Sequence, residues 1–184
     1  MEQSDTSQNR HLIRFMFLTG LMIGTLDGMA AVIDFLMTYR GNPLIAFQYI
    51  AGGILGARTF SGGLPTAILG IFLHYVIATS WTVLFLLLYP RMKMLRANWI
   101  LIGVLYAVFV WLVMNLGVRP LSRVPPVSWT ALKVIKSAAI LMIAVGLPVS
   151  FTAKIFFSPT TTASTAPATL MPNDDGEENG NNNR

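Results

Sequence analysis

The chain has 184 residues, 54% of them hydrophobic and only 11% charged, with a mean hydropathy of +0.60; a soluble domain carries roughly 25% charged residues, so this composition belongs in a bilayer. It contains no Cys, which excludes disulfides, thiolate catalysis and Cys-ligated metal. The net charge of +5 does not indicate nucleic acid, because the basic residues are scattered at the ends of apolar runs, where they meet lipid headgroups.

Charge is unevenly placed. Outside the chain ends the only carboxylates are Asp27 and Asp34; the others are Glu2 and Asp5 at the start and Asp174, Asp175, Glu177 and Glu178 near the finish. Residues 1–11 read as a polar N-terminal tail, residues 12–157 as a transmembrane helical domain, and residues 158–184 as a disordered acidic C-terminal tail. A signal-peptidase site is conceivable at Gly28-Met29-Ala30, but the apolar run continues through it, so an uncleaved first span is expected.

Segment one, Leu12–Thr38, is about 40 Å long at 1.5 Å per residue, so it must tilt or protrude from the bilayer. At 100° per residue, Gly20, Gly24, Asp27, Gly28, Ala31 and Asp34 share one third of the helix circumference. That stripe of small residues suits close approach by another helix. It also keeps both acids out of hydrocarbon, where an Asp costs roughly 2.5–3.5 kcal/mol.

Arg40-Gly-Asn-Pro43 ends the segment, and Asn42-Pro43 is a good start for the next helix. Segment two, Pro43–Phe60, is apolar but short, with Gln48 inside it and Gly52, Gly53 and Gly56 weakening it. It suits a re-entrant or interfacial helix better than a crossing. Arg58 and the Gly62-Gly63 turn could contact an anion through exposed N–H groups, or Arg58 could simply anchor at the headgroups. Segment three, Leu64–Tyr89, carries Ala67, Gly70, His74, Ala78 and Trp81 along one side, with His74 near mid-depth. Pro90 should stop it.

Segment four, Ala97–Val118, leads into a rigid Pro-rich connection, Arg119 to Pro126. Segment five, Trp129–Phe157, opens amphipathically with Lys133 and Lys136 on one side. Pro148 should kink it, with the freed carbonyl met by a neighbour or by Ser150. The expected fold is an all-α integral membrane bundle of four transmembrane helices plus a short re-entrant or interfacial helix, with five spans as the alternative. Four spans place six Lys/Arg on each side, counted over residues 10–154, so the positive-inside rule sets no orientation.

The strings Gly24-Thr-Leu-Asp27-Gly28, Gly53-Ile-Leu-Gly56-Ala-Arg-Thr-Phe60-Ser-Gly62-Gly63, Leu69-Gly70, Leu73-His74, Arg119-Pro120-Leu121-Ser122 and Gly146-Leu-Pro148 occur in this order. Together they resemble a group of small bacterial multi-span inner-membrane proteins, and are similar to the YagU-type family, part of which has been linked to acid resistance. The resemblance covers residues 17–155. It implies a multi-pass helical protein of the bacterial cytoplasmic membrane and supplies no catalytic residues.

Asp27 and His74 are the candidate intramembrane polar pair, either proton- or cation-handling or an interhelical bond that fixes register. Asp34 is expected at the interface, paired with Arg40 or Arg58. Gly20, Gly24, Gly28 and Gly70 are the candidate packing face. No enzyme motif or metal-ligand spacing is present, and no cofactor is expected. The expected role is a structural or accessory membrane component rather than an enzyme. The alternative is a proton- or cation-coupled transporter or channel component using Asp27 and His74, and a lipid-modifying enzyme is a third class. Expected partners are the lipid bilayer and either a second copy or another membrane protein.

Overall fold

Four long helices alternate in direction along the chain, and a fifth, shorter one turns back beside them. The computed structural model describes residues 2–92, 98–123 and 130–157. The expected acidic tail, residues 158–184, lies outside them, as do most of the Arg91–Arg96 loop and the later part of the Pro-rich connection. Helix α1 runs Glu2–Tyr39, so the polar start of the chain is helical from Glu2, ahead of the candidate span that begins at Arg10. Helix α2 (Leu44–Leu55) is followed by a 3-10 stretch, Gly56–Ser61. Then come α3 (Gly63–Leu88), α4 (Trp99–Leu121) and α5 (Ala131–Phe157). α1, α3, α4 and α5 are long and apolar enough to cross a membrane, and they present Phe17, Met29, Phe72, Leu105 and Phe151 outward, as lipid-facing helices do.

The helix ends follow from local chemistry. The Asn42 side chain accepts from the Leu44 N–H at 3.0 Å and starts α2. Asn98 does the same for α4 through Leu101, and Thr130 for α5 through Lys133. α3 stops at Leu88, and Pro90 sits in the 3-10 turn that follows. Two wide π turns interrupt the spans, Val113–Val118 in α4 and Met142–Gly146 in α5. Each ends two residues before a proline, Pro120 or Pro148. A proline removes one N–H and presses its ring on the carbonyl four residues back, and a widened turn relieves both. The expected irregularity at Pro148 is therefore present, but Ser150 plays a different part: it donates to the Trp99 carbonyl of α4 at 2.6 Å.

The register defines two ends. Along α1, Gly20 lies on Thr79, Gly24 on Tyr75 and Ala78, and Gly28 on His74, so α1 and α3 are antiparallel. α3 therefore begins at the end where α1 finished. α2 starts and leaves on that same side and does not cross, so the structure takes the four-span form rather than the five-span alternative. α5 runs antiparallel to α1, with Phe156 stacked on Phe15 at one end and Lys136 against Asp34 at the other.

One end holds the apolar core: Met16 and Ile23 of α1, Phe85 and Leu86 of α3 with Tyr89 just beyond it, Ile102 and Tyr106 of α4, and Val149 and Ala153 of α5. Backbones meet there where Gly103 and Gly146 face each other, a contact with no room for a Cβ on either. The other end holds α2 and the polar groups.

Candidate functional site

The acid-bearing stripe of α1 turns inward, as the spacing predicts. Met16, Gly20, Ile23, Gly24 and Gly28 along it are buried. Toward the polar end the burial thins: Asp27 and Asp34 are partly accessible, and Ala31 and Thr38 are exposed. The close packing of this stripe is thus confined to the stretch from Met16 to Gly28. Seven residues separate the two acids, roughly 10 Å along the helix axis.

His74 is buried against the glycines of α1. Its Nε2–H donates to the Gly24 carbonyl at 2.8 Å, which assigns the proton to that nitrogen. A Cβ on Gly28 would come within 3.1 Å of the same nitrogen, so only glycine lets the ring reach the backbone there. The edges of Phe47 and Tyr75 hold the ring in place. Asp27 is the electrostatic neighbour of this ring. Among the described residues, however, neither an ion pair nor a hydrogen bond joins the Asp27 carboxylate to another group. The two predicted partners are brought side by side, but the imidazole N–H goes to backbone.

Asp34 pairs with neither Arg40 nor Arg58. Its partner is Lys136 of α5, whose ammonium also donates to the Thr38 hydroxyl at 2.9 Å. The helix register explains the difference: Asp34 points into the bundle toward α5, while Arg40 and Arg58 are exposed outside it. At the Gly62-Gly63 turn, where an anion contact was expected, Arg58 is exposed and part of the backbone is bonded within the protein. The Gly62 N–H donates to the Thr59 carbonyl, and the Gly63 carbonyl accepts from Gln48 and Thr66. Gly70 leaves the packing face of α1 altogether and lies on the Phe47 carbonyl of α2, without space for a side chain.

A polar knot fastening α2 is the feature that sequence reasoning missed. The Gln48 amide donates to the Gly63 carbonyl at 2.8 Å and to the Thr66 hydroxyl at 3.2 Å. Thr59 donates to the Gln48 carbonyl, and Thr66 to the Thr59 carbonyl. Gln48 and Thr59 are buried. Arg119 reaches from the end of α4 to the Tyr49 hydroxyl at 2.8 Å, and the Arg123 N–H caps the Gly53 carbonyl. The available signal was a lone glutamine in a short apolar segment with a threonine one turn into the next span. Irregular backbone at membrane depth persists only where protein satisfies it, and these side chains supply that satisfaction.

An apolar groove of about 390 Å³ runs along the outer flank of this contact, with Gly28 and His74 at its floor and Met29, Val32, Ile33 and Phe47 as walls. Among the described residues no group of three or more His, Asp or Glu is placed to hold a metal. No family model, curated protein or solved structure matches this chain.

Proposed function

We propose that this protein is a non-enzymatic accessory component of a bacterial cytoplasmic membrane, one that works through its polar end. The observation that carries the reading is where the Asp, His and Lys side chains of the bundle interior stop. From the polar end inward they reach Asp27 and His74, and beyond these lie the interlocked side chains of Ile23, Phe85, Ile102, Tyr106 and Val149. Ionisable groups that enter the bundle from one end and meet a packed apolar core suit contact with a partner on that side better than a charged relay through the bundle. The resemblance to small inner-membrane proteins supports the choice of membrane, and fractionation of the producing cells tests it.

The experiment for the role is reconstitution in liposomes under a pH gradient, and under a sodium or potassium gradient. The reading expects leak no greater than in protein-free vesicles, together with a membrane protein that co-purifies after mild crosslinking. Coupled flux that Asp27→Asn abolishes overturns it in favour of a transporter. That second reading is favoured by one observation, a carboxylate inside the bundle with no hydrogen bond among the described residues.

A further inference from the structure

We infer that the groove over His74 is a binding site for a quinol, a flat ring carrying two hydroxyl groups that enters from the bilayer interior. The groove, about 390 Å³, has room for one such ring with a short apolar tail. Gly24 and Gly28 keep its floor open, and Met29 and Ile33 on its wall are more than half exposed, so it is reached from the lipid side. His74 stands near the midpoint of α3, roughly 15 Å from either headgroup layer. A phospholipid phosphate does not reach that depth, so the occupant carries its polar groups on an otherwise apolar body.

The polar atoms on the groove decide what those groups are. His74 is only 8% accessible, and its Nε2–H is taken by the Gly24 carbonyl. In the neutral ring Nδ1 is then an acceptor, and among the described residues nothing donates to it. Nor is it sealed in: among those residues the one enclosed side-chain N or O without a hydrogen bond belongs to Asp34. Thr25 and Tyr75 line the same groove. The Thr25 hydroxyl donates to the Leu21 carbonyl at 2.8 Å, so the 3.0 Å contact between Thr25 and Tyr75 takes its proton from Tyr75. The Tyr75 oxygen keeps acceptor capacity and has no proton left to give. The groove therefore presents two acceptors, on rings whose centroids are 5.7 Å apart, and the donors beside them are spent. A molecule with two hydroxyls satisfies this pattern. Its oxidised form, with two carbonyls, meets only lone pairs, and so do the ester carbonyls of a glycerolipid. Aromatic surface completes the match, since the Phe47 and Tyr75 rings flank the imidazole.

The test uses three probes of one shape, duroquinol, duroquinone and durene, which carry two hydroxyls, two carbonyls and no oxygen on the same tetramethyl ring. The full chain with His11→Gln has His74 as its one imidazole, and with no Cys it tolerates the dithionite that keeps the quinol reduced. The protein is placed in phosphatidylcholine nanodiscs, with empty discs as the partition control. Duroquinol should shift the NMR resonance of His74 Nδ1 saturably. It should bind roughly tenfold tighter than duroquinone or durene, the scale of one net hydrogen bond. Tyr75→Phe should cut the quinol's advantage several-fold and leave durene unchanged. Thr25→Val frees the Tyr75 proton and should narrow the same gap by strengthening duroquinone. Either variant suffices if the other does not fold. Equal affinities for the three probes would mean a groove for acyl chains only and overturn the proposal, as does an unmoved Nδ1 resonance or a preference for the quinone. The readout is binding at His74 alone, so it stands or falls apart from the partner and flux experiments above.

Discussion

At the core end of the bundle, Ile23, Phe85, Ile102, Val149 and Ala153 are wholly enclosed by one another, with Phe15 stacked on Phe156 beside them. At the polar end, Ala131–Leu141 and Val113–Val118 bury nothing, and the helices are joined by named polar bonds: Lys136 to Asp34, Trp111 to Ser137, Arg119 to Tyr49, Gln48 to Gly63. Lipid is as apolar as leucine, so the enclosed end gains from close packing rather than from escape from water. The open end depends on a few directional contacts, each worth about 0.6–2 kcal/mol in a membrane. One end is thus rigid because many small terms add. The other, along Ala131–Leu141 and Val113–Val118, has fewer packing terms and leans more on each polar bond.

The largest effect should come from breaking the rigid end. Phe85→Ala removes a ring that packs on both Tyr89 and Tyr106. A loss of about 3 kcal/mol is expected, read as unfolding in a denaturing detergent titration. A loss below about 1 kcal/mol would mean that the core end is no better packed than the polar end, and the comparison would fail. Gly146→Val should approach the same size, because its Cβ would press on the Gly103 backbone.

Next comes Gln48→Leu. It keeps the volume but removes the donor to the Gly63 carbonyl and Thr66. About 1–2 kcal/mol should be lost, and the change should be local: proteolysis or cysteine labelling at Ala57 should accelerate while the core-end aromatics keep their fluorescence. Uniform loosening of both ends would show that α2 is part of one cooperative unit with the core. His74→Phe sharpens the same point. It keeps a flat ring against Gly28 and loses only the bond to the Gly24 carbonyl, so about 0.6–1.7 kcal/mol is expected.

Much of this was readable in the amino acids. Four spans follow from run length. The inward turn of Gly20, Gly24, Asp27 and Gly28 follows from helical spacing, because a small-residue stripe with an acid has nowhere favourable to point except another helix. Gly70 resisted reading because its spacing fits the His74 stripe, while its neighbour is the backbone of α2, a helix whose path depends on three-dimensional packing. The Asp34 partner resisted for a related reason. Arg40 and Arg58 are nearer in sequence, but Lys136 is brought to it only by the antiparallel register of α1 and α5, which no local pattern encodes. The π turns were half legible: Pro148 announced one, while Pro120 read as part of a connection because the helix was expected to end before it.

The smallest expected effect is also the most discriminating. Lys136→Met breaks an ion pair that solvent already reaches, on a stretch of α5 with no buried residue. Exposed pairs of this kind contribute roughly 0.2–1 kcal/mol, so the unfolding midpoint should barely move, and raising salt should mimic the substitution in the intact protein. A loss as large as that of Phe85→Ala would mean that Ala131–Leu141 is held as firmly as the core, and the division of the molecule into a packed end and a yielding end would be wrong. A loss this small is what a solvent-reached contact at the edge of a bundle produces: it fastens one face of α5 without contributing much to whether the chain is folded.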